Sequence, residues 1–405
     1  MAKIIMCSDM DAFFASVEQK TNPLLRNKPI AVIGSGARTV ITTASYEARM
    51  FGVTTGMTVY EAKKLCPHLI FVVGNNEKYT STSKELERIY TQFTPDVEIY
   101  SIDEAFLDIT ATHHMFGGVD NVARGIKKAI REHFGITCTI GIGPTILIAK
   151  LASDLAKPDG LRWIKEEEVP SLLEHLPVKK LWGIGARTAY ALASMGIETC
   201  GDLGRAPVSI LRRRFGIMGE VLKGMGMGIW ARPIMIHEQE PRSIGHSTTL
   251  PFDIWTREEI GAYMLQLSEM VGRRARRFGY RGRRVSLTIR YTDFETFTKQ
   301  MTFPAYTNDT HTICRYAFSI LDTIRLRKRI RLMGIRLSLL IRETCQMELF
   351  GEFGKRHALV HAMDTVNDRY GEHTLAWASY VHRRELPRVI SPAWRPTGIR
   401  SVHIK

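Results

Sequence analysis

Two neighbouring carboxylates, Asp103 and Glu104, interrupt an otherwise apolar, strand-forming stretch over residues 97–110. The pattern reads as two strands with a tight turn between Tyr100 and Glu104. Adjacent acids on an apolar hairpin repel one another and are costly to bury unless a cation neutralises them. A solvent-exposed turn is the commoner fate of an Asp-Glu pair, so the surrounding elements have to narrow the choice. Residues 3–9 read as a buried strand ending in Asp9 and Asp11, followed by a short helix over 11–20. A compact segment continues to about residue 75, with turn signals at Asn22-Pro23 and Gly34-Ser35-Gly36. Helices are predicted over 77–93, 119–134 and 145–156, and a strand over 136–142. A strand, a hairpin, a helix, a strand and a helix around one sheet make an α+β plan that brings the end of the first strand close to the hairpin.

Residues 166–231 change character, to short helices broken by glycines. Leu181-Trp182-Gly183-Ile184-Gly185 followed by Ala186-Arg187-Thr188-Ala189 reads as a helix-hairpin-helix, in which Gly183 and Gly185 leave amide N–H groups free for a phosphate. A glycine-capped turn between two helices gives the same pattern. A charged, proline-bearing linker follows, ending at residue 242. Residues 243–342 then show strands near 243–250, 285–291, 296–303 and 331–341, with helices over 257–278 and 309–328. This is the β-α-β-β-α-β order of a ferredoxin-like domain. Two arginine clusters mark it: Arg273, Arg274, Arg276, Arg277, Arg281, Arg283 and Arg284, then Arg325, Arg327, Arg329, Arg331 and Arg336 with Lys328. A solvated face is the usual fate of such runs. Two clusters on one small domain favour a phosphate-tracking surface. Residues 343–405 form a tail with a helix over about 355–370.

Composition limits the classes. A chain of 405 residues exceeds one ordinary core, so two to four domains are expected. A formal net charge of +15 favours a polyanionic partner. No apolar run approaches the ~18 residues of a spanning helix, and no charged leader precedes an apolar stretch. The six cysteines (Cys7, Cys66, Cys138, Cys200, Cys314 and Cys345) are scattered, which predicts buried thiols in a reducing cytoplasm rather than a zinc site.

Four segments carry a resemblance. They are Ser8-Asp9-Met10-Asp11-Ala12-Phe13-Phe14; Ala44-Ser45-Tyr46-Glu47-Ala48-Arg49; Ser101-Ile102-Asp103-Glu104-Ala105-Phe106-Leu107-Asp108; and Ala149-Lys150-Leu151-Ala152-Ser153-Asp154 with Ala156-Lys157-Pro158-Asp159-Gly160. In order and spacing over the first 240 residues, the chain resembles the Y-family (translesion) DNA polymerases, of the bacterial polymerase IV or polymerase V catalytic-subunit type. The remainder is similar more loosely to that family's extra DNA-holding domain. The resemblance implies a right-hand polymerase. Its parts are a ferredoxin-like palm (1–9 and 76–165), small fingers (10–75), a helical thumb (166–231), a linker (232–242), a ferredoxin-like little finger (243–342) and a tail (343–405).

It also implies roles. Asp9, Asp103 and Glu104, with the Met10 carbonyl, would hold two Mg²⁺ ions. Thr43, Tyr46, Arg49 and Lys157 would grip the triphosphate of a dNTP. Phe14 would be the steric gate that excludes a ribose 2′-hydroxyl. Gly183, Gly185, Arg273, Arg274, Arg331 and Arg336 would contact primer-template DNA. Small residues at Gly34, Ser35, Gly36 and Ala37 would leave room for a damaged base. The chain lacks length for a separate exonuclease domain, which predicts error-prone synthesis. Ile146 stands where family members often carry a lysine, putting a primer-backbone contact there in doubt. Gln346, Met347, Leu349 and Phe350 resemble a peptide that fills pockets on the bacterial sliding clamp. The residues beyond it look closer to the polymerase V catalytic subunit, which would allow accessory subunits. A catalytically silent scaffold and a nucleotidyl cyclase are the rival readings; the intact set of catalytic residues speaks against the first, and the helix-hairpin-helix and the arginine-rich domain against the second.

Overall fold

The computed structural model describes residues 3–36, 38–229, 232–236, 240–342, 352–371 and 374–378, with backbone only over 352–357. Ala37, Cys345 and the clamp-like peptide 346–350 lie outside the described residues.

The chain begins with β1 (Ile5–Met10), buried at every position. It turns at Ala12, a non-glycine residue held at φ 44°, ψ 48°. L-residues adopt that left-handed conformation at a cost of roughly 1–2 kcal/mol. The kink sends α1 (Phe13–Thr21) away from the strand end. Three strands that sequence patterning did not resolve follow: β2 (Ile30–Ile33), β3 (Ile41–Ala44) and β4 (Ile70–Val73). They form their own sheet in the order β3-β2-β4, with α2 (Tyr46–Arg49) and α3 (Val59–Leu65) on the connection. Each strand is only 4 residues long, too short for a clear alternation.

The chain returns through α4 (Asn76–Tyr90) to β5 (Val97–Ile99) and β6 (Glu104–Asp108), then α5 (Val119–Phe134), β7 (Cys138–Gly143), α6 (Ile146–Ala156) and β8 (Leu161–Trp163). These strands build a sheet in the order β5-β6-β1-β7-β8. Val119, Val122, Ala123, Ile126 and Ile130 line the buried stripe of α5, at the spacing of one helical face. Helix α6 lies hard against β7. A Cβ on Gly141 would stand 2.1 Å from the Ser153 nitrogen and 2.2 Å from the Ala149 oxygen, so only glycine permits that approach. Ile146 opens α6 inside a buried cluster with Ile5, Cys7, Phe106 and Ala149. Ile146 is therefore part of the core.

Five short helices come next: α7 (Val169–Glu174), α8 (Ala186–Ala193), α9 (Cys200–Arg205), α10 (Val208–Phe215) and α11 (Met218–Gly226). They share a core of Leu173, Leu181, Leu192, Leu203, Leu211 and Leu222.

The last large unit runs β9 (Ser243–Ile254), α12 (Arg257–Arg277), β10 (Tyr280–Tyr291), β11 (Thr296–Thr307), α13 (Thr310–Leu321) and β12 (Ile330–Arg342). Its sheet has the order β11-β10-β12-β9, so each helix joins two strands that bracket a third, a split βαβ arrangement. A capping box of Thr256 and Glu259 opens α12, worth ~1 kcal/mol. Helix α13 stops at Leu321, short of the predicted 328. The Thr323 hydroxyl donates back to the Ile320 carbonyl at 2.7 Å, and Lys328 leaves to pair with Asp293 and Glu295 at the β10–β11 turn.

The tail helix α14 (Glu352–Tyr370) lies on α12 and settles the fate of part of the arginine cluster. Arg276 reaches Asp364 through Nε at 2.7 Å and Nη2 at 3.0 Å. Arg273 Nη2 reaches Asp368 at 2.6 Å. Glu269 accepts from the Thr310 hydroxyl at 2.6 Å and the Trp377 indole at 3.0 Å. Arg273 is only 8% exposed. This corrects its expected role as a DNA contact: it is consumed by the tail. Cys7, Cys66, Cys138, Cys200 and Cys314 are buried free thiols. Among the described residues no helix is long and apolar enough to cross a membrane.

Candidate active site

Strand register assembles the acidic cluster. Asp9 stands opposite Glu104 on β6 and Thr139 on β7, and the Met10 amide donates to the Asp103 carbonyl at 3.0 Å. Backbone pairing therefore brings Asp9, Asp103 and Glu104 to one end of the sheet before any side chain contributes. Ser101 Oγ donates to Asp103 Oδ1 at 2.6 Å and fixes the turn.

Two lysines neutralise part of the charge. Lys150 Nζ reaches Asp9 Oδ2 at 2.6 Å, Glu104 Oε1, and Asp154 Oδ1 at 3.0 Å. Lys157 Nζ takes the other Asp9 oxygen at 2.6 Å. Burial pushes the Asp9 carboxyl up, but these two ammonium groups outweigh it and hold Asp9 below its ordinary value. Asp103 and Glu104 keep part of their surface open, yet burial and then the Asp9 charge push Asp103 up to about 6 and Glu104 up to about 7. Burial would lower Lys150; Asp9 and Glu104 prevail and keep it charged well above the usual lysine range.

Asp11, outside the acidic trio, organises what surrounds it. Its carboxylate accepts from the hydroxyls of Thr137 and Thr139, both at 2.8 Å, from the Tyr46 hydroxyl at 3.3 Å and from the Asp159 amide at 2.9 Å. These bonds draw α2 and the 157–159 turn onto the end of β1. Burial and Asp11 push the Tyr46 phenol up to about 12. Arg49 lies over the Tyr46 ring at 4.8 Å and donates from Nε to the Ala44 carbonyl at 3.0 Å. Thr43 is half-buried on β3, paired with Val32. Phe14 is 2% exposed and packs at a tilt on Tyr79 with ring centroids 4.4 Å apart, so it is a core aromatic on the helix that follows the acidic strand end.

Among the described residues no three His, Cys, Asp or Glu side chains converge as they stand on one point from which to hold a metal ion. The lysine ammonium groups lie between the carboxylates. The donor chemistry nonetheless fits hard divalent cations: Asp9, Asp103 and Glu104 bring only oxygen donors to one end of the sheet, where two ammonium groups offset part of their charge.

Trp182 ties the glycine turn to this centre. Its ring meets Tyr100 edge-on at 5.0 Å and Phe106 at 5.7 Å. Gly183 follows at φ +95°, which a side chain would strain. Gly185 opens α8 with free space where a Cβ would be.

Comparison with known proteins adds the decisive observation. Residues 8–154 match the impB/mucB/samB family, residues 166–197 its helix-hairpin-helix motif, and residues 241–349 its C-terminal domain. The chain is 40% identical over 378 residues to a DNA polymerase IV of Moorella thermoacetica, covering 92% of this chain and 94% of that one. It is 39% identical to a DNA polymerase IV of Pelotomaculum thermopropionicum, covering 92% and 94%. The chain belongs to the Y-family DNA polymerases. A solved Y-family polymerase chimera of Dbh and Dpo4 superposes with a TM-score of 0.76 at 26% identity, covering 84% of this chain and all of that one. This Y-family polymerase is thus a DNA-directed DNA polymerase of the translesion class, with the palm, fingers, thumb and little-finger architecture. The relatives that match over most of its length carry the polymerase IV name.

In the polymerase's little finger, the strands turn Val285, Leu287, Ile289, Met333, Ile335 and Leu337 toward the helices. Arg284, Thr288 and Arg290 take the opposite face of β10, and Arg336 joins them by register with Ser286. That open face borders a cavity of about 830 Å³ whose far wall is β5, with Glu98 and Arg232. Arg232 Nη1 and the Met235 amide both donate to Glu98, at 2.9 Å each, fastening the linker to the palm. Arg274 Nη1 donates to the Gly245 carbonyl at 3.0 Å, and Arg331 lies over the Phe294 ring at 4.9 Å.

Sequence reasoning missed Lys150, Ser101 and Arg290 as members of these sites, and named Arg284 only within the arginine cluster. Lys150 had a signal: it is the one cation in a helix reading Ile-Leu-Ile-Ala-Lys-Leu-Ala. Arg284 and Arg290 had one too, in the alternation of β10.

Proposed function

We propose that this polymerase extends a primer by two-metal nucleotidyl transfer from a dNTP, without proofreading and with low accuracy. The observation that carries the reading is the β1–β6 register, which sets Asp9 opposite Glu104 with Asp103 at the adjoining turn. Asp9, Asp103, Glu104 and the Met10 carbonyl would hold two Mg²⁺ ions. When bound, such ions lower the pKa of an attacking hydroxyl and stabilise charge on the leaving phosphate.

The chain's own residues do the rest. Lys157, Tyr46, Arg49 and Thr43 orient the triphosphate, Arg49 by planar donors suited to phosphate oxygens. The Asp11 bonds to Tyr46 and to the 157–159 turn hold two of these groups at the strand end. Phe14, held against Tyr79, would be the steric gate beneath the sugar. Gly183 and Gly185 offer backbone amides, and Arg336 and Arg274 offer charge, to primer-template DNA. Small residues at 34–37 leave the nascent pair loosely confined, which favours lesion bypass over accuracy.

The boundaries suited to this work are 1–9 and 76–165 for the palm, 10–75 for the fingers, 166–231 for the thumb and 243–342 for the little finger. Gln346, Met347, Leu349 and Phe350 would engage a sliding clamp, with accessory subunits a further partner and the cytoplasm the compartment. Primer extension on undamaged and abasic templates tests the function: synthesis past the lesion with no 3′ excision supports it, and arrest at every lesion tried refutes the bypass assignment. With clamp loaded, replacing both Leu349 and Phe350 by alanine should abolish clamp stimulation and spare clamp-free extension.

A further inference from the structure

Lys150 sits where a metal-ligand assignment has no use for it. Helix α6 buries Ile146 and Ala149 against the sheet and Leu147, Ile148, Leu151 and Ala152 in the core of the short helices that follow, and the glycine-permitted closeness at Gly141 leaves the helix no room to turn. Its one cation is thereby aimed at the strand ends. The ammonium joins Asp9 and Glu104, which belong to different strands, and its side chain is 11% exposed. One helical turn further on, Asp154 stands 3.0 Å away with 43% of its side chain exposed. The three acceptors thus form a path from the buried end of β1 to the surface, and a four-carbon stem with a compact charge can travel along it.

We propose that Lys150 is a positioning residue that acts as a built-in counter-ion: it holds Asp9 and Glu104 in register, competes with divalent cations for their oxygens, and withdraws to Asp154 when those cations bind. This rests on the two-metal reading. Lys157 cannot serve in its place, because it reaches only Asp9. A buried lysine that merely satisfies its neighbours would, when removed, leave repelling carboxylates and a weaker site. A competing counter-ion, when removed, leaves a stronger one.

The test is Mn²⁺ binding without DNA or nucleotide, read by the electron paramagnetic resonance of free Mn²⁺, with melting temperatures in EDTA and in excess Mn²⁺. Lys150→Met should bind Mn²⁺ roughly tenfold tighter, the size of effect one neighbouring charge has on a buried ionic group. Its melting temperature should fall in EDTA and recover in Mn²⁺. Asp154→Asn, which strands the ammonium over the ligands, should bind several-fold more weakly. Equal or weaker binding by folded Lys150→Met overturns the proposal. If that variant does not fold in EDTA, Asp154→Asn decides, and unchanged affinity there overturns it. Should wild type and Asp103→Ala bind Mn²⁺ identically, the two-metal reading itself falls and takes this one with it, an outcome distinct from a failure of Lys150 alone.

Discussion

At the end of β1, four carboxylates and two ammonium groups are linked around Asp9 and Glu104. In the little finger, by contrast, arginines crowded within a short stretch of sequence separate to different sides of the domain. Arg273 and Arg276 turn inward to Asp368 and Asp364 of the tail helix, while Arg284 takes the open face of the sheet, where Arg290 and, from the second cluster, Arg336 join it. The palm gathers charge from three distant segments into one place; the first arginine cluster of the little finger is dispersed from one segment into two places. Strand pairing explains the first, since register fixes which residues meet. Helix and strand periodicity explains the second, since neighbours in sequence point to different sides.

Substitutions can break that contrast. The largest effect is expected in the palm. Glu104→Gln keeps the shape of the side chain and removes the charge that, on the two-metal proposal, is worth several kcal/mol in the transition state. Extension should drop about a thousandfold in single-turnover assays, with DNA affinity nearly unchanged. Arg276→Ala addresses the inward half of the little finger. Breaking a buried pair, which among the described residues leaves Glu269 without a cation and Asp364 with only the 3.8 Å contact to Arg273, costs ~3–5 kcal/mol. Thermal melting should show this loss, and the salt dependence of DNA binding should stay as it was. Phe14→Ala opens the surface beneath the sugar. Ribonucleotide incorporation should rise roughly 10- to 200-fold, the range a shape contact provides. Because the ring is also core, the variant should be assayed well below its lowered melting temperature. Arg336→Ala addresses the open face, where one lost phosphate contact should reduce the slope of log affinity against log salt by about 0.9. If Arg276→Ala changed that slope and Arg336→Ala did not, the division of the arginines would be reversed.

A smaller effect follows from the raised carboxyls. Asp103 at about 6 and Glu104 at about 7 still bind protons near neutrality in the folded chain. Metal binding must displace those protons, so Mn²⁺ affinity should increase as pH rises from 6 to 8 and decline as pH falls. A flat profile over that window would show that neither group is a ligand.

The same contrast shows what could be read in the sequence. The long elements were legible because their periods are long enough to see: α5 falls on its predicted 119–134, and β10 displays Val285, Leu287 and Ile289 by alternation. The small sheet of β2, β3 and β4 was not, since its strands are 4 residues each. Asp9, Asp103 and Glu104 came from motif resemblance, and the register then supplied a physical reason for their meeting. Lys150 was quoted within a motif but given no role, because nothing local shows that a helix residue will span two strands. Arg273 was misjudged for a related reason. A run of arginines reads as a surface until the acids of a helix more than 80 residues away are placed beside it.

The central claim is that the acidic end of the palm sheet is a metal-dependent nucleotidyl-transfer site. Primer extension by wild type and Asp103→Ala, with Mg²⁺ and then with EDTA, tests it most directly. Templated dNTP addition by wild type only, and only with Mg²⁺, is the expected result; extension by Asp103→Ala at the wild-type rate, or undiminished extension in EDTA, would contradict it.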